Sequence, residues 1–89
     1  MFGGTVESEK LPYGKISDLR HLGALIRQVR KAQGITQDDL SALSGVGPRL
    51  IGEIERGKPT AEIGKVFQLL ASLGLDLVIQ PRTSKNWRG

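Results

Sequence analysis

Apolar residues recur every three or four positions in four separate stretches of this 89-residue chain. That spacing places them along one face of an α-helix, so the pattern predicts four amphipathic helices. Each stretch is followed by a glycine, the residue that most readily adopts the left-handed backbone conformation that ends a helix. The predicted helices cover residues 18–33, 36–44, 48–56 and 59–73.

The residues at the front of these stretches are typical helix starts. Ser17-Asp18 offers an N-cap for the first helix, and a capping box begins at Thr36, with Asp in place of the usual Glu or Gln. Pro48 suits the first position of the third helix, because its missing N–H would be unpaired there anyway. Residues 59–60, Pro-Thr, are the predicted cap of the fourth. The predicted helix caps, the apolar helix faces and the terminating glycines therefore all indicate a helical protein.

After Gly74 the apolar period changes from that of a helix to that of a strand. Leu75, Leu77 and Ile79 occupy alternate positions, and Pro81 ends the run. A lone strand leaves a row of backbone donors and acceptors unpaired, so we predict that it pairs with its own copy across a two-fold axis. The N-terminal arm is an alternative partner strand. The expected dimerisation residues are Leu75, Leu77, Val78 and Ile79.

Composition narrows the range of functions. The 13 Lys and Arg against 9 Asp and Glu give a net charge of +4, which weakly favours a polyanionic partner. The chain has no cysteine and a single histidine, His21, so we expect no disulfide, metal site, cofactor or enzyme active site. No apolar run approaches about 18 residues and no signal region opens the chain, so we expect a cytoplasmic protein without a membrane segment.

The second and third predicted helices are short and are separated only by Gly45-Val46-Gly47. A connection this tight cannot lay two helices antiparallel, so they cross steeply and the second stands out from the surface. An exposed helix of that diameter fits the major groove of B-DNA. The alternative is a generic helical corner without a DNA-binding role.

The residues around this corner match a known family. The segment ITQDDL at 35–40, Gly45-Val46, Ile51 and the segment IERGKP at 54–59 resemble the Cro/C1-type (Xre) helix-turn-helix family of phage and bacterial repressors. The resemblance covers about residues 22–75. It implies a DNA-binding protein whose third helix reads the base sequence.

The resemblance also implies roles for individual residues. Gln37 matches a residue that reaches a phosphate and buttresses the reading helix, and Arg49 and Glu53 match base-facing positions. Arg49 can pair with guanine O6 and N7, and Glu53 can accept from cytosine N4. The alternative for Glu53 is a solvated surface charge. The implied DNA-binding residues are Gln37, Gly47, Pro48, Arg49, Gly52, Glu53, Arg56 and Lys58, the last two in a loop along the DNA backbone.

Two features qualify this assignment. Pro48 and Gly52 lack the polar side chains that many relatives carry there, so readout can depend on DNA shape or on contact with thymine methyl groups. Arg30 and Glu55 match a structural ion pair of the family, and we expect them to stabilise the fold rather than to contact DNA.

The C-terminal part is similar to the HipB-type antitoxins. The segment ERGKPT at 55–60, the helix after it and the segment LDLVI at 75–79 carry this similarity. In that family a strand after the last helix pairs between protomers, and the protein binds a HipA-type kinase toxin and represses its own operon. The similarity implies a sequence-specific DNA-binding transcriptional repressor that is also the antitoxin and autoregulator of a HipBA-like toxin–antitoxin operon.

Two alternatives stay open: a stand-alone Xre-family repressor without a toxin, and an interaction module that has lost DNA reading at Pro48 and Gly52.

The expected fold class is all-α, a compact helix-turn-helix domain of four to five helices with one C-terminal β-strand pairing across a dimer. We predict an N-terminal arm at 1–16, the DNA-binding domain at 17–74, the dimerisation strand at 75–81 and a flexible tail at 82–89. Trp87 in that tail is a candidate partner anchor, or part of an unimportant end.

Overall fold

The computed structural model describes residues 13–82, and within them the chain folds into four α-helices. They are α1 (Leu19–Ala32), α2 (Gln37–Ser44), α3 (Pro48–Glu55) and α4 (Ile63–Ser72). The prediction of four helices is confirmed. The glycine that follows each helix adopts the left-handed conformation with φ between 75° and 79°. The predicted arm up to residue 12 and the tail from residue 83, with Trp87, lie outside the described residues.

Side chains cap the first two helices as predicted. The Asp18 carboxylate accepts the His21 backbone N–H at 2.8 Å, and the His21 Nδ1 accepts the Ser17 N–H at 3.1 Å. In α2 the Thr36 hydroxyl accepts the Asp39 N–H at 3.0 Å, and the Asp39 carboxylate accepts the Thr36 N–H at 2.9 Å. Bonds from the backbone and the hydroxyl of Thr36 lower the pKa of Asp39, because they favour its charged form.

The predicted start of the fourth helix is wrong. α4 begins at Ile63, with Glu62 as its N-cap, rather than at residues 59–60. The reason is a competing turn over residues 58–61, closed by a hydrogen bond from the Ala61 N–H to the Lys58 carbonyl at 3.1 Å. Pro59 suits the second position of such a turn, and Thr60 is then committed to the turn instead of capping a helix.

The inner faces of the four helices form one hydrophobic core. α1 packs on α3, and α2 packs on both α3 and α4. The Gln33 side chain donates to the Leu73 carbonyl at 2.9 Å and so ties the end of α1 to the end of α4. The buried apolar residues are Leu22, Leu25, Ile26, Val29, Leu40, Val46, Ile51, Ile54, Val66, Leu69, Leu70 and Leu73.

Two glycines let α1 approach the end of α3 at backbone distance. A Cβ on Gly23 would collide with the carbonyl oxygen of Ile54, and a Cβ on Gly57 would lie 2.5 Å from the Cα of Arg20. Gly57 also has a φ of +79°, which side chains rarely tolerate. These contacts fix the position of α3 against the body of the protein.

Residues 75–80 form no strand within the single chain, since the described residues offer no second strand to pair with them. Leu77, Val78 and Ile79 are exposed. The segment lines a groove of about 610 Å³ together with residues 13–16, Leu22, Leu25 and Leu70. Among residues 13–82 no helix is long and apolar enough to cross a membrane.

Candidate nucleic-acid interface

The turn between α2 and α3 presents α3 at the surface of the molecule. Gly45 ends α2 in the left-handed conformation, and Val46 then inserts its side chain into the core. The inward face of α3 buries Ile51 and Ile54. Its first turn faces outward, where the side chain of Arg49 is 93% exposed. The helix is therefore fixed by its inward face, and Pro48 and Arg49 in its first turn are exposed to a partner.

A buried ion pair ties the inner side of α3 to α1. The Arg30 guanidinium donates from Nε to Glu55 Oε2 at 2.7 Å and from Nη2 to Glu55 Oε1 at 3.1 Å. Its Nη1 donates to the Ile35 carbonyl at 2.9 Å. Only 2% of the Glu55 side chain is exposed. The structure thus brings together the two residues expected to pair, and it does so inside the domain rather than on its outer face.

Gln37 connects this buried pair to the surface. It is the first residue of α2, and its amide Nε2 donates to Glu55 Oε1 at 3.0 Å. An amide nitrogen carries two hydrogens, so this bond leaves the second N–H for another acceptor. The side chain is half-buried, which fixes its direction more firmly than that of a free surface glutamine.

Two long side chains cover the position where Gly52 has no side chain of its own. A Cβ at this position would lie 3.3 Å from Arg56 Nη1 and 3.8 Å from Gln37 Nε2. The outer surface of Gly52 is therefore covered by two long polar side chains, one from α2 and one from the end of α3. Both have donors, so this part of the face is polar although residue 52 contributes only backbone.

Glu53 lies between two cations on the outer face of α3. Its Oε1 is 3.3 Å from Lys58 Nζ, and its Oε2 is 3.8 Å from Arg49 Nε. The Glu53 side chain is 22% exposed. The carboxylate is thus an ion-paired group and not the freely solvated charge considered from the sequence.

The end of α3 fixes Lys58 beside that carboxylate. The Lys58 N–H donates to the Glu53 carbonyl at 3.1 Å, and the Gly57 N–H donates to the Ile54 carbonyl at 2.9 Å. This pair of bonds is the Schellman arrangement, with Gly57 as its left-handed residue. The reversal brings residue 58 back over the last turn of the helix.

The two helix starts on this face differ in their capping. The Thr36 hydroxyl occupies a backbone donor at the start of α2, whereas Gly47 caps α3 without any side-chain hydrogen bond. Pro48 has no N–H, so the N–H groups at the start of α3 that have no acceptor within the helix are those of Arg49 and Leu50. Among residues 13–82 no group of three or more His, Asp or Glu side chains is arranged to hold a metal ion.

Sequence reasoning missed two of these relations. The cover over Gly52 depends on the directions of two long side chains, which the sequence does not give. The contact between Arg49 and Glu53 did have a signal in the sequence, since the two residues are four apart in a helix and so can meet. The contact between Lys58 and Glu53 had none, because it depends on the chain reversal at Gly57.

Comparisons with known proteins agree with this architecture. The family model described as Helix-turn-helix matches residues 26–80. The HTH-type transcriptional regulator y4mF of Sinorhizobium fredii is 53% identical over 58 residues, which cover 65% of this chain and 76% of that protein. An HTH-type transcriptional regulator of Haemophilus influenzae is 39% identical over 66 residues, which cover 71% of this chain and 67% of that protein.

Solved structures of HipB share the fold. HipB in its O4 20mer complex has a TM-score of 0.74 with this chain at 24% identity, covering 80% of this chain and 100% of that one. A HipB variant in its O2 20mer complex has the same TM-score and identity, covering 80% of this chain and 99% of the other.

Proposed function

This chain belongs to the helix-turn-helix family of transcriptional regulators, and we propose that it is a sequence-specific repressor that reads operator DNA with α3. The observation that carries the proposal is the contrast along this helix. Its inner side is fixed by a buried, fully hydrogen-bonded ion pair, while Arg49 extends from its first turn into solvent. A rigid helix with an exposed arginine suits the major groove, where Arg commonly pairs with guanine.

Contacts with phosphates would fix the helix in register. Three donors surround α3: the second N–H of the Gln37 amide, the Arg56 guanidinium and the Lys58 ammonium. The backbone N–H groups of Arg49 and Leu50, in the first turn after the Gly47 cap, are a fourth candidate donor. Such contacts hold a protein on the duplex without reading its sequence.

Base reading would be sparse and would rely first on Arg49. Pro48 offers apolar surface for a thymine methyl group, and Gly52 offers only backbone between its polar neighbours. Where few side chains reach the bases, sequence-dependent shape of the DNA supplies part of the discrimination. Of the eight residues expected from the sequence, Arg49 is thus the reader, and Gln37, Arg56 and Lys58 are phosphate donors. Gly47 and Pro48 allow close approach of the duplex at the start of α3, Gly52 lies beneath Gln37 and Arg56, and Glu53 is paired with Arg49 and Lys58.

The proposed repressor is a homodimer joined through residues 75–80. Val78 and Ile79 are 75% and 92% exposed, which is unfavourable for branched apolar side chains unless a partner covers them. Pairing with a second copy would satisfy the backbone and bury these side chains together with Leu75 and Leu77. Two copies of α3 would then meet half-sites about one helical turn apart, roughly 34 Å.

Replacing one exposed residue of this segment tests the dimer. Val78→Asp should shift the protein from dimer to monomer in sedimentation at micromolar concentration. Leu43→Asp is the matched control, because Leu43 is also exposed and apolar but lies on α2. A monomeric parent protein, or a Val78→Asp variant that stays dimeric, would contradict the proposal.

We further propose that the repressor is the antitoxin of a HipBA-like operon. The shared fold with HipB and the exposed apolar segment after α4 favour this over a stand-alone repressor. The toxin partner would be a HipA-type kinase, the protein would act in the cytoplasm, and it would need no cofactor or catalytic step. Co-purification with a kinase-like protein encoded next to its gene would support the antitoxin role. Absence of such a reading frame would favour the stand-alone repressor.

DNA binding itself is tested by selection from a random duplex pool. The protein should enrich a near-palindromic sequence, and its affinity for that duplex should fall steeply with salt, with a log–log slope near −0.9 for each phosphate neutralised. Enrichment of no sequence, or affinity that does not change with salt, would contradict the proposed function.

A further inference from the structure

Glu53 is the one carboxylate within the described part of α3 that reaches the outer face, since Glu55 points into the buried pair. If this face meets DNA, the carboxylate approaches a polyanion. It is already engaged by Lys58 at 3.3 Å and by Arg49 at 3.8 Å. Its position therefore affects two cations that a DNA duplex would otherwise attract.

The pair with Lys58 is well placed to persist in a complex, because a lysine ammonium has three N–H donors and the contact with Glu53 leaves the others for a phosphate. The backbone bond from the Lys58 N–H to the Glu53 carbonyl holds residue 58 over the last turn of α3, so the two side chains start from adjacent positions. The contact with Arg49 is longer, and the Arg49 side chain is almost fully exposed. Arg49 can leave Glu53 at little cost, because exposed pairs of this kind contribute about 0 to 1 kcal/mol.

We propose that Glu53 is a specificity-determining residue that suppresses binding to non-operator DNA. The inference deepens the proposed function and depends on it. Glu53 neutralises Lys58 and repels phosphates nearby, which lowers the sequence-independent electrostatic attraction that dominates non-specific binding. Arg49 is released from Glu53 when guanine offers two acceptors, so the specific contact is retained while the non-specific one is weakened.

One substitution distinguishes this role from direct reading of cytosine by Glu53. Glu53→Gln keeps the size of the side chain and removes its charge. If Glu53 reads cytosine as an acceptor, the variant loses affinity for the selected operator. If Glu53 suppresses non-specific binding, the variant gains affinity for scrambled DNA, and the preference for the operator falls because the background has risen.

The experiment measures the affinity of the full chain for its selected operator duplex and for a scrambled duplex across a range of salt. Glu53→Gln should bind scrambled DNA with a slope steeper by about 0.9 per protomer, the value for one additional phosphate. For each protomer that difference corresponds to about an eightfold change in relative affinity over a tenfold range of salt, and for the proposed dimer to about a sixtyfold change. The melting temperature should stay close to that of the parent, since the lost pairs are exposed.

Glu62→Gln is the matched control, because it makes the same change in net charge. Glu62 is exposed, its side chain makes no capping hydrogen bond, and it has no ion-pair partner within the described residues. A gain on scrambled DNA that is no larger in Glu53→Gln than in Glu62→Gln would overturn the inference. A selective loss on the operator would overturn it in favour of cytosine reading.

A double variant tests whether Lys58 is the cation that Glu53 neutralises. The gain on scrambled DNA from Glu53→Gln should shrink when Lys58→Ala is also present, because the freed ammonium is then absent. An undiminished gain would overturn the assignment of Lys58. A parent protein without salt-dependent DNA binding would instead contradict the proposed function, and this is established before any variant is compared.

Discussion

The two sides of α3 carry the same kind of chemistry in opposite surroundings. On the inner side Glu55 meets Arg30 at 2.7 Å and Gln37 at 3.0 Å, almost completely out of solvent. On the outer side Glu53 meets Lys58 at 3.3 Å and Arg49 at 3.8 Å, with Arg49 in water. Burial decides what each carboxylate does. The inner one orders the structure, whereas the outer one modulates the charge that a partner meets.

The difference follows from the energetics of charge in the two environments. A buried charge must keep all its partners, because a stranded charge in the interior is far less stable than one in water. An exposed charge loses little when a partner leaves, since water replaces it. The inner network is therefore unsuited to exchange partners with DNA, and the outer one is suited to do so.

The largest effect is expected on the inner side. Glu55→Ala should lower the free energy of unfolding by about 3 to 5 kcal/mol, because it leaves the Arg30 guanidinium buried without its carboxylate. Thermal unfolding measures the change, which should exceed about 12 °C in a domain of this size. Glu53→Gln is the outer-side counterpart and should change stability by less than about 1 kcal/mol.

A double substitution separates the stranded charge from the lost pair. Arg30→Leu with Glu55→Leu should be less destabilising than Glu55→Ala alone, because no charge is then left in the interior. Equal melting temperatures for Glu55→Ala and the parent would contradict the account of the inner side.

The next effect concerns the contact that fixes the inner side of α3. Gly23→Ala should lower the free energy of unfolding by about 1 to 3 kcal/mol, because its methyl group would collide with the Ile54 carbonyl. Gly64→Ala in α4 is the control, since a Cβ there has no neighbour closer than 4.0 Å and alanine favours the helix. Chemical denaturation compares the two. A Gly23→Ala variant as stable as Gly64→Ala would show that α1 and α3 can separate without loss.

The smallest effect concerns the capping box that leads into this corner. The pKa of Asp39 is lowered in the folded state by the backbone and hydroxyl of Thr36. A lowered pKa means that the carboxylate contributes stability above its unfolded value of about 3.9, and that this contribution is lost as the pH falls through the folded value. Asp39→Asn should therefore be less stable than the parent near neutral pH.

The advantage of the parent over Asp39→Asn should decline below about pH 4, where the parent carboxylate also becomes neutral. Urea unfolding at a series of pH values measures it. A difference between the two proteins that does not change with pH would contradict the charged capping box.

Much of the inner side was predictable from the sequence. The apolar period, Asp18, Thr36 and the glycine after each helix are local signals, and they located four helices. The start of α4 was not predictable in this way, because a turn over residues 58–61 and a helix cap at Thr60 use the same residue types. Local patterns do not decide between two local structures of similar stability.

The outer side was less predictable because it depends on side-chain direction. The resemblance to known repressors indicated which positions face DNA, but not that Gln37 and Arg56 cover Gly52 or that Lys58 returns to Glu53. The C-terminal segment poses a different difficulty. Alternation over residues 75–80 predicts a strand, yet a strand forms only where a second one pairs with it, and a single chain offers none within residues 13–82.

The central claim is that α3 reads DNA through Arg49, and one comparison tests it most directly. The affinities of the parent and of Arg49→Ala are measured on the selected operator and on scrambled DNA at several salt concentrations. We expect the operator complex to weaken by about 1 to 3 kcal/mol and the preference to relax at one position in each half-site, with a smaller change on scrambled DNA. Equal losses on both duplexes would make Arg49 a phosphate contact only, and would contradict its role as the reader.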